Sequence, residues 1–306
     1  MELSTFMQHL TRTIEANNAG LHVVPTETQK TNGIKMAGLT LQADGETVAP
    51  VFYVNELFRR YEEGEETIEG IAKHILSQYE ALPAPNIPDM HNFLSSPNFL
   101  DRIRLRLMNQ AKNWSMIANK NLVYHEVLGT DLICTFHADV MSDIGSTGTI
   151  AINEEILKKY LPQFENGDDL YDEIIKRTTE EQVQLESMLE VMKRLLQERL
   201  GDILPDELED NHMYVLTNKD MTYGASVVLT EAARKAILEI FPEGECLLLP
   251  SSLHETILLK TSAGENLETL REMVQTVNAT EVSESDFLSN NVYRLNILSG
   301  ELEIAE

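Results

Sequence analysis

A serine, a histidine and a glutamate lie close together in the stretch LLLPSSLHETILL, residues 247–259. A hydroxyl next to an imidazole, with a carboxylate nearby, is the combination with which hydrolases activate a nucleophile. In an extended chain Ser252 and His254 share a face but lie about 6.5–7 Å apart, which is too far for a nucleophile to bond its base. Pro250 and the two serines are typical of a turn. The pattern therefore predicts a turn between two strands, and a hydrolase that uses His254 with Glu255 is the alternative.

A second chemically versatile pair, His137 and Asp139, lies in the segment CTFHADV. In a strand both side chains face the same way, and they can bind a metal if a third ligand comes from elsewhere in the chain. The sequence has no Cys-x-x-Cys pair and no two-histidine zinc motif, and DIGSTGT at 143–149 lacks the lysine of a phosphate loop. We therefore predict no cofactor and a hairpin turn at 143–149. A metal-dependent enzyme is the alternative for His137 and Asp139.

The segment DRIRLRLMN, residues 101–109, alternates between charged and aliphatic side chains. A period of two is typical of a strand with one buried and one solvated face, so the arginines are expected on the solvated face. Guanidinium groups suit carboxylate and phosphate. Two interpretations stay open: the arginines pair with acidic side chains of this chain, or they bind an anion or an acidic peptide. The candidate binding residues are Arg102, Arg104, Arg106, Ser252, His254 and Glu255.

The charge balance disfavours two classes of partner. With 50 acidic and 24 basic residues the formal net charge is −26, and such a surface repels nucleic acid and anionic lipid at long range. We expect another protein as the partner, without charge-driven nucleic-acid binding and without a membrane. Residues 161–210 hold 15 acidic and 5 basic side chains and are expected to be a solvated helical face. An acidic mimic of nucleic acid that blocks a basic partner is a further hypothesis.

The cysteines and the N-terminus favour a cytoplasmic protein. Cys134 and Cys246 both lie in apolar runs and are expected to be buried, reduced thiols. The first 20 residues lack the basic segment and apolar block of a signal peptide. No apolar run approaches the roughly 20 residues that a membrane span requires.

Hydrophobic periodicity predicts an α+β fold with mixed, mostly antiparallel sheets, built from repeated modules of a strand pair and a helix. Asn-Gly at 32–33 and Asp-Gly at 44–45 predict tight turns in an N-terminal meander. Asn55 is expected to cap a helix, and the tail from Ser299 is expected to fray. Predicted helices span about 3–18, 56–61, 67–79, 110–120, 154–161, 168–200, 231–241 and 267–278. Predicted strands span about 21–28, 34–42, 47–54, 101–109, 122–127, 132–138, 149–152, 213–217, 225–229, 245–249, 256–260 and 291–297.

Proline-rich and polar stretches suggest a division of the chain. Three prolines in LPAPNIPD cannot be accommodated in a helix, and the polar stretch 201–210 contains Pro205. A strand followed by a capped helix recurs after Val51, Ile150 and Ala225, which suggests an internal duplication. We predict an N-terminal meander-plus-helix domain at 1–82, a linker at 83–100, a central α+β module at 101–204 and a C-terminal α+β module at 205–306.

Several phrases resemble a bacterial family known only as a domain of unknown function, whose members often occur on mobile elements of gut anaerobes. They include VAPVFYVNELFRRYEEG, NKNLVYHEVLGTDLICTF, MYVLTNKDMTYGASVVL and LREMVQTVNATEVSESDFLSNNVYRL. The resemblance runs from about Val48 to Leu295 and implies no reaction. The stretch IIKRTTEEQ departs from the usual family wording. The matching positions are Asn121, Leu122, Asp131, Leu132, Thr217, Asn218, the turn at 250–255, Val277, Asn278, Leu288, Ser289 and Tyr293.

The absence of a recognisable catalytic motif, the acidic composition and this resemblance favour a non-enzymatic protein-binding or regulatory protein. The enzyme and nucleic-acid-mimic hypotheses stay open beside it. The sequence does not indicate an oligomeric state.

Overall fold

Hydrophobic side chains lie at every second position of the strand segments and at every third or fourth position of the helical ones, and the computed structural model follows both periods. The structure describes residues 1–45, 49–82, 89–141, 147–200, 212–260 and 266–306. The chain forms two compact units, one within Met1–Ile87 and one comprising Pro88–Met141 and Thr147–Glu306. Helices and antiparallel sheets occur in both, which confirms the predicted α+β class.

The first unit packs helices against a three-stranded antiparallel meander. Phe6, Leu10 and Ile14 repeat at four-residue intervals and are fully buried, as expected for one face of a helix. At the first turn Asn32 has φ 60° and Gly33 has φ 75°. Positive φ at both positions is the conformation for which Asn-Gly is preferred. In chain order the elements are α1 (Leu3–Asn17), β1 (Leu21–Gln29), β2 (Lys35–Ala43), β3 (Val51–Tyr53), α2 (Asn55–Glu62) and α3 (Ile68–Ala81).

The second unit contains the other helices and strands of the described chain. The first half comprises α4 (Met90–Leu94), β4 (Ile103–Asn109), α5 (Gln110–Asn119), β5 (Tyr124–Val127), β6 (Leu132–Met141), β7 (Thr147–Ala151), α6 (Glu154–Tyr160) and α7 (Gly167–Arg177). The second half comprises β8 (Val183–Ser187), α8 (Met188–Leu200), β9 (Met213–Asn218), α9 (Glu231–Ile240), β10 (Glu245–Pro250), β11 (Glu255–Leu259), α10 (Leu267–Thr280), β12 (Tyr293–Asn296) and β13 (Leu302–Ile304).

These strands form two antiparallel sheets. In the four-stranded sheet β6 pairs with β4 along one side and with β5 and β7 along the other side. The six-stranded sheet has the order β13-β12-β10-β11-β9-β8. Among the described residues of this unit, three short 3-10 turns join elements, at Leu100–Arg102, Glu180–Gln182 and Gly224–Leu229. No helix of the described ranges combines the length and the apolar character that crossing a membrane requires.

The two sheets of the second unit share one hydrophobic core. Leu105 and Phe136 of the four-stranded sheet and Leu248 and Tyr293 of the six-stranded sheet belong to the same buried cluster. The predicted boundary at 204/205 lies outside the described residues, as do residues 83–88 of the predicted linker. The rest of that linker includes α4, which contributes to the same core. The division into three parts stays a prediction.

A polar cluster around Asp131 ties the β5–β6 connection to the start of β12 and the segment before it. The carboxylate accepts hydrogen bonds from the Tyr293 hydroxyl, from Ser289 Oγ at 2.9 Å and from Asn109 Nδ2 at 3.0 Å. Ser289 and Tyr293 are fully buried, and Asn109 is 7% exposed. An unpaired polar group in the core costs free energy. The Asp131 carboxylate avoids that cost for three donors that would otherwise be buried without a partner.

The predicted long helix at 168–200 is wrong in its middle. Helix α7 ends at Arg177, and Thr179 begins a 3-10 turn in which the Gln182 side chain bonds the Thr179 amide at 3.0 Å. The chain then enters β8, where Leu185 pairs with Leu216 of β9. The apolar spacing after Leu185 fits a helix, but pairing with the edge of the sheet prevails over the local pattern.

Other predicted elements also need correction. The run 225–229, predicted as a strand, is a 3-10 turn whose residues are all buried; a short apolar run does not distinguish the two. The tail does not fray throughout, since Leu302 pairs with Leu295 and Ala305 is 1% exposed.

The predicted cap at Asn55 is also wrong. The Asn55 side chain accepts from the Ala37 amide at 2.9 Å and does not cap α2. Asn153 and Thr230, which hold the corresponding places before α6 and α9, do accept from first-turn amides. The internal duplication stays a prediction.

Candidate functional site: the arginine face of the four-stranded sheet

One face of the four-stranded sheet carries two of the arginines that the sequence indicates. The aliphatic side chains at alternate positions of β4 are at most 5% exposed and face the core, so the arginines between them lie on the opposite face. Side chains that are paired across neighbouring strands point to the same side of a sheet. We name the following three cross-strand pairs the arginine face: Arg104 with His137, Arg106 with Thr135, and Asp139 with Thr149.

Arg102 lies before this strand. The strand predicted to begin at Asp101 begins at Ile103, and Arg102 ends the preceding 3-10 turn. The Arg102 guanidinium carbon lies 5.6 Å from the centroid of the Phe93 ring. The prediction that all three arginines lie on the strand is therefore wrong for Arg102, although its positive charge still acts on Asp139.

The guanidinium of Arg106 is the least compensated charge on the arginine face. Its carbon lies 3.8 Å from the centroid of the Tyr223 ring, and Nη2 donates to Thr149 Oγ1 at 2.8 Å. Burial lowers the pKa of Arg106, partly offset by Tyr223 and Asp139. Within the described ranges, no carboxylate oxygen lies within 4.0 Å of this guanidinium. Arg106 thus retains its charge with an aromatic ring and a hydroxyl as its neighbours.

Arg104 is better compensated. Its Nε lies 3.7 Å from Asp139 Oδ2, and both side chains are partly exposed. Nη1 donates to the carbonyl oxygens of Asp101 at 2.6 Å and Ile103 at 3.0 Å. Burial raises the pKa of Asp139, while the positive charges of Arg104 and Arg106 oppose that rise. Asp139 therefore neutralises part of the arginine face and competes with any other anion there.

His137 is a neutral member of the face. Its Nε2 lies 3.0 Å from Thr135 Oγ1. Burial lowers the pKa of His137 well below its usual value, and the charges of Arg106 and Lys120 lower it further. Among residues that the structure describes, no group of three or more potential ligands is placed to hold a metal. A metal at His137 and Asp139 would need a ligand from outside those residues.

Residues 251–254 form the turn between β10 and β11, within the stretch 250–255 whose composition predicts a turn. Ser252 Oγ accepts from the His254 amide at 3.0 Å, and the Ser252 amide donates to the Glu255 carbonyl at 3.2 Å. Ser251 Oγ donates to Glu255 Oε1 at 3.3 Å. The serine hydroxyls thus bond the turn itself, and in the described structure neither hydroxyl forms a hydrogen bond with the His254 ring.

His254 holds Tyr223 under Arg106. The Tyr223 amide donates to His254 Nδ1 at 3.1 Å, and His254 Nε2 lies 3.4 Å from Asp286 Oδ1. Because Nδ1 accepts from a backbone amide, we assign the ring proton to Nε2. Tyr223 has φ 53°, a left-handed conformation that is uncommon for a bulky residue. A fixed acceptor at Nδ1 stabilises it, so His254 is a positioning residue for the arginine face.

Tyr223 also depends on its neighbours in the following 3-10 turn. Ser226 Oγ donates to the Leu105 carbonyl at 2.7 Å, which ties this turn to β4. At Gly224 an added Cβ would lie 2.2 Å from Thr217 Oγ1 and 2.6 Å from the His254 carbonyl. Only glycine fits so close to two other segments, so the chain around Tyr223 has little freedom to move away from Arg106.

Replacing His254 by alanine is expected to lower the free energy of unfolding by about 1–2 kcal/mol, because the Tyr223 amide loses its acceptor. His254→Asn is expected to recover about half of that loss, since its amide oxygen can take the place of Nδ1. Urea denaturation of both variants and the wild type measures the difference. Equal stabilities of His254→Ala and the wild type would contradict the positioning role.

The sequence patterns did not indicate Tyr223. The turn-forming residues of TNKDMTYG predict a loop after β9, but they do not indicate that its tyrosine contacts an arginine on another strand. A tyrosine just before a glycine in such a loop is the only available signal, and it is weak. The arginines, by contrast, are indicated by the alternation of charged and aliphatic residues in 101–109.

The fold and this face define an α+β protein with a locally basic sheet face on a strongly acidic chain. The chain belongs to the family of unknown function DUF5688, whose model matches residues 3–296. That membership confirms the resemblance to an uncharacterised family. No curated protein and no solved structure matches the chain.

Proposed function

We propose that this is a non-enzymatic binding protein that recognises an acidic segment of a partner protein through the arginine face. The observation that carries the proposal is Arg106, a partly desolvated guanidinium with no carboxylate partner in the described chain. Burying an unpaired charge costs free energy. In a chain with 50 acidic and 24 basic residues, acidic partners for an arginine are abundant. An arginine without a carboxylate partner among the described residues, beside a second arginine, is suited to an anion from outside.

Carboxylates fit this face better than a nucleic acid does. A phosphate backbone is bound by a series of basic residues along its track, whereas the arginine face has two arginines flanked by Asp139, with Asp220 acting on the same carboxyl. The net charge of −26 repels a polyanion. At physiological ionic strength charges more than about 8 Å away are largely screened. A short acidic segment therefore responds mainly to the arginines that it touches.

The test is the binding of a fluorescein-labelled peptide with six glutamates, against the same peptide with six glutamines, followed by anisotropy. We expect the glutamate peptide alone to bind, and added salt to weaken it. Asp139→Asn is expected to tighten binding by about fivefold. The substitution removes a carboxylate that competes with the ligand for Arg104, and a partly exposed ion pair of this kind contributes about 1 kcal/mol.

Two results would count against the proposal. Equal binding of the glutamate and glutamine peptides would show that charge recognition is absent. An unchanged or weaker affinity in Asp139→Asn, with the fold intact by circular dichroism, would show that Asp139 does not compete with the ligand. Lys219→Gln, an exposed change near Tyr223, is the matched control and is expected to leave the affinity within about twofold.

We also infer a bacterial source, a mobile-element context and a cytoplasmic location. The resemblance supports the first two. Cys134 and Cys246 are free and buried, and burial raises the pKa of Cys246 to about 12, which suits a reducing compartment. Recovery of the protein from the periplasmic fraction of its native host would contradict the location.

A further inference from the structure

Strand β8 forms one edge of the six-stranded sheet. Its inner neighbour is β9, and α8 and α9 pack against it. Leu185 faces the shared hydrophobic core, to which α9 also contributes. Glu186 faces the other way and bonds Arg194 of α8 at 2.6 Å. Helices therefore cover both faces of β8, and in the described chain no strand pairs with its outer edge.

The pairing with β9 determines which backbone groups of β8 point outward. The Lys219 amide donates to the Gln182 carbonyl at 3.2 Å, in register with the ladder that follows. Along an antiparallel strand, residues that bond the neighbour alternate with residues whose backbone groups face away from it. The even-numbered residues of β8 therefore bond β9. The N–H and C=O groups at the outer edge belong to Val183, Leu185 and Ser187.

Two of these six outward groups have partners within the chain. The Val183 amide donates to the Glu180 carbonyl in the preceding 3-10 turn. Ser187 caps α8, since its Oγ accepts from the Glu190 amide at 3.2 Å, and the carbonyl of a capping residue accepts the first bond of its helix. Four groups have no backbone partner among the described residues, namely the Val183 carbonyl, both groups of Leu185 and the Ser187 amide.

We propose that β8 pairs antiparallel with β8 of a second copy of the chain, with Leu185 opposite Leu185. In this register the two Leu185 residues exchange two hydrogen bonds, and each Ser187 amide donates to the Val183 carbonyl of the other copy. These bonds use all the unpartnered outward groups of both copies. The Val183 amide and the Ser187 carbonyl, which already have partners, are the groups that face each other across the pair and need no further bond.

The side chains also fit this register. Residues that lie opposite each other across two strands share a face, so each Glu186 lies opposite a Gln184, whose amide can donate to the carboxylate. The two partly buried Leu185 side chains meet on the core side. A shift by two residues in either direction leaves only two of the hydrogen bonds, and one of these shifts places Glu186 opposite Glu186. Hydrogen bonding and charge therefore favour the same register.

Other strand edges of the described chain are blocked, as edges in soluble proteins commonly are. On β1, Pro25 lacks an amide hydrogen. On β4, the Leu105 carbonyl accepts from Ser226 Oγ. On β13, the Ile304 amide donates to the Gly129 carbonyl at 3.1 Å. Strand β8 has neither a proline nor a lysine, so its edge is suited to pairing with a strand from outside.

Sedimentation equilibrium over a series of concentrations tests the pairing. We expect a reversible dimer of the 34.6 kDa chain. Added salt should tighten the dimer, because each copy has a net charge of −26 and salt screens their repulsion. Arg106→Gln should leave the dimer unchanged, since the pairing does not depend on the proposed function. A chain that stays monomeric at about 1 mM would leave the edge to another protein and overturn the pairing of two copies.

Substitutions at Gln184 test the register. Gln184→Glu places two carboxylates opposite each other twice in the dimer and is expected to raise Kd about fivefold, whereas Gln184→Lys is expected to lower Kd by about the same factor. Lys73→Gln makes the same change in net charge as Gln184→Glu at an exposed position of α3, and is expected to change Kd less than twofold. Equal effects of Gln184→Glu and Gln184→Lys would overturn the register.

A proline tests the backbone bonds. Leu185→Pro removes an amide that faces the second copy and not β9, which an edge strand tolerates. Leu185→Ala keeps that amide and is the matched control for the lost side chain. We expect Leu185→Pro to abolish the dimer, and Leu185→Ala to raise Kd by at most about tenfold. A dimer retained in a folded Leu185→Pro would contradict pairing through β8, and if Leu185→Pro does not fold, the variants of Gln184 decide.

Discussion

Replacement of Asp131 by alanine is expected to lower the free energy of unfolding of the second unit by about 4 kcal/mol. The carboxylate accepts from Tyr293, Ser289 and Asn109, whose residues are at most 7% exposed. Each buried donor left unpaired costs about 1–3 kcal/mol. Water can reach part of the site, because Asp131 itself is only partly buried. The expected loss of stability is therefore smaller than three times the upper value for one donor.

Urea denaturation followed by Trp114 emission measures this loss within the second unit, to which Trp114 belongs. Asp131→Asn keeps one acceptor oxygen and is expected to lose about half as much. Asp172→Ala, an exposed change on α7, is the control and should stay within about 0.5 kcal/mol of the wild type. A loss below about 1 kcal/mol in Asp131→Ala would show that the three donors find other partners.

The pKa of Tyr293 supports the direction of its hydrogen bond to Asp131. Burial and the neighbouring charge of Asp131 raise the pKa of Tyr293, so the hydroxyl keeps its proton and donates. The Asp131 carboxylate is therefore the acceptor, and its hydrogen-bond donors in the described chain are Tyr293, Ser289 and Asn109, none of them a carboxylate. The segment before β12 is thereby fixed to the four-stranded sheet.

Replacement of Arg106 by glutamine is expected to weaken binding of the six-glutamate peptide by about 2 kcal/mol, or about 30-fold in Kd. The reason is the loss of charge-assisted hydrogen bonds from a group that is already partly desolvated. Arg106→Lys should recover only part of the affinity, because an ammonium group lacks the planar fork and packs less well on the Tyr223 ring. Fluorescence anisotropy of the labelled peptide measures both variants.

Arg12→Gln is the control for this experiment. Arg12 is exposed on α1 of the first unit, so the substitution makes the same change in net charge on the other unit of the chain. We expect less than a twofold change in Kd. A similar loss in Arg12→Gln and Arg106→Gln would assign the binding to net charge alone and would contradict a specific role of Arg106.

Periodic patterns predicted most of the elements that place the arginine face. Alternation in 101–109 indicated β4 and the side of the sheet on which Arg104 and Arg106 lie. Asn-Gly at 32–33 predicted the first turn of the meander because both residues tolerate positive φ. These features depend on residues that are adjacent in sequence, and local sequence is sufficient for them.

Contacts between distant segments could not be predicted from the sequence. Leu185 continues a helical pattern, yet it lies in β8 because β9 offers an unpaired edge. Tyr223 reaches Arg106 because the His254 ring and the Ser226 hydroxyl hold its turn against β4. The Asp131 cluster joins residues from three separate segments. Each depends on tertiary packing that no single local pattern encodes.

We propose that the Arg106 guanidinium binds a carboxylate from a partner. The most direct measurement is heteronuclear NMR of the arginine Nε–Hε groups during titration with the six-glutamate peptide, with the Arg106 signal assigned from its absence in Arg106→Gln. We predict a saturable shift of the Arg106 signal, a smaller one of Arg104, and no shift of Arg12. An unchanged Arg106 signal while the peptide binds would show that Arg106 does not bind the carboxylate.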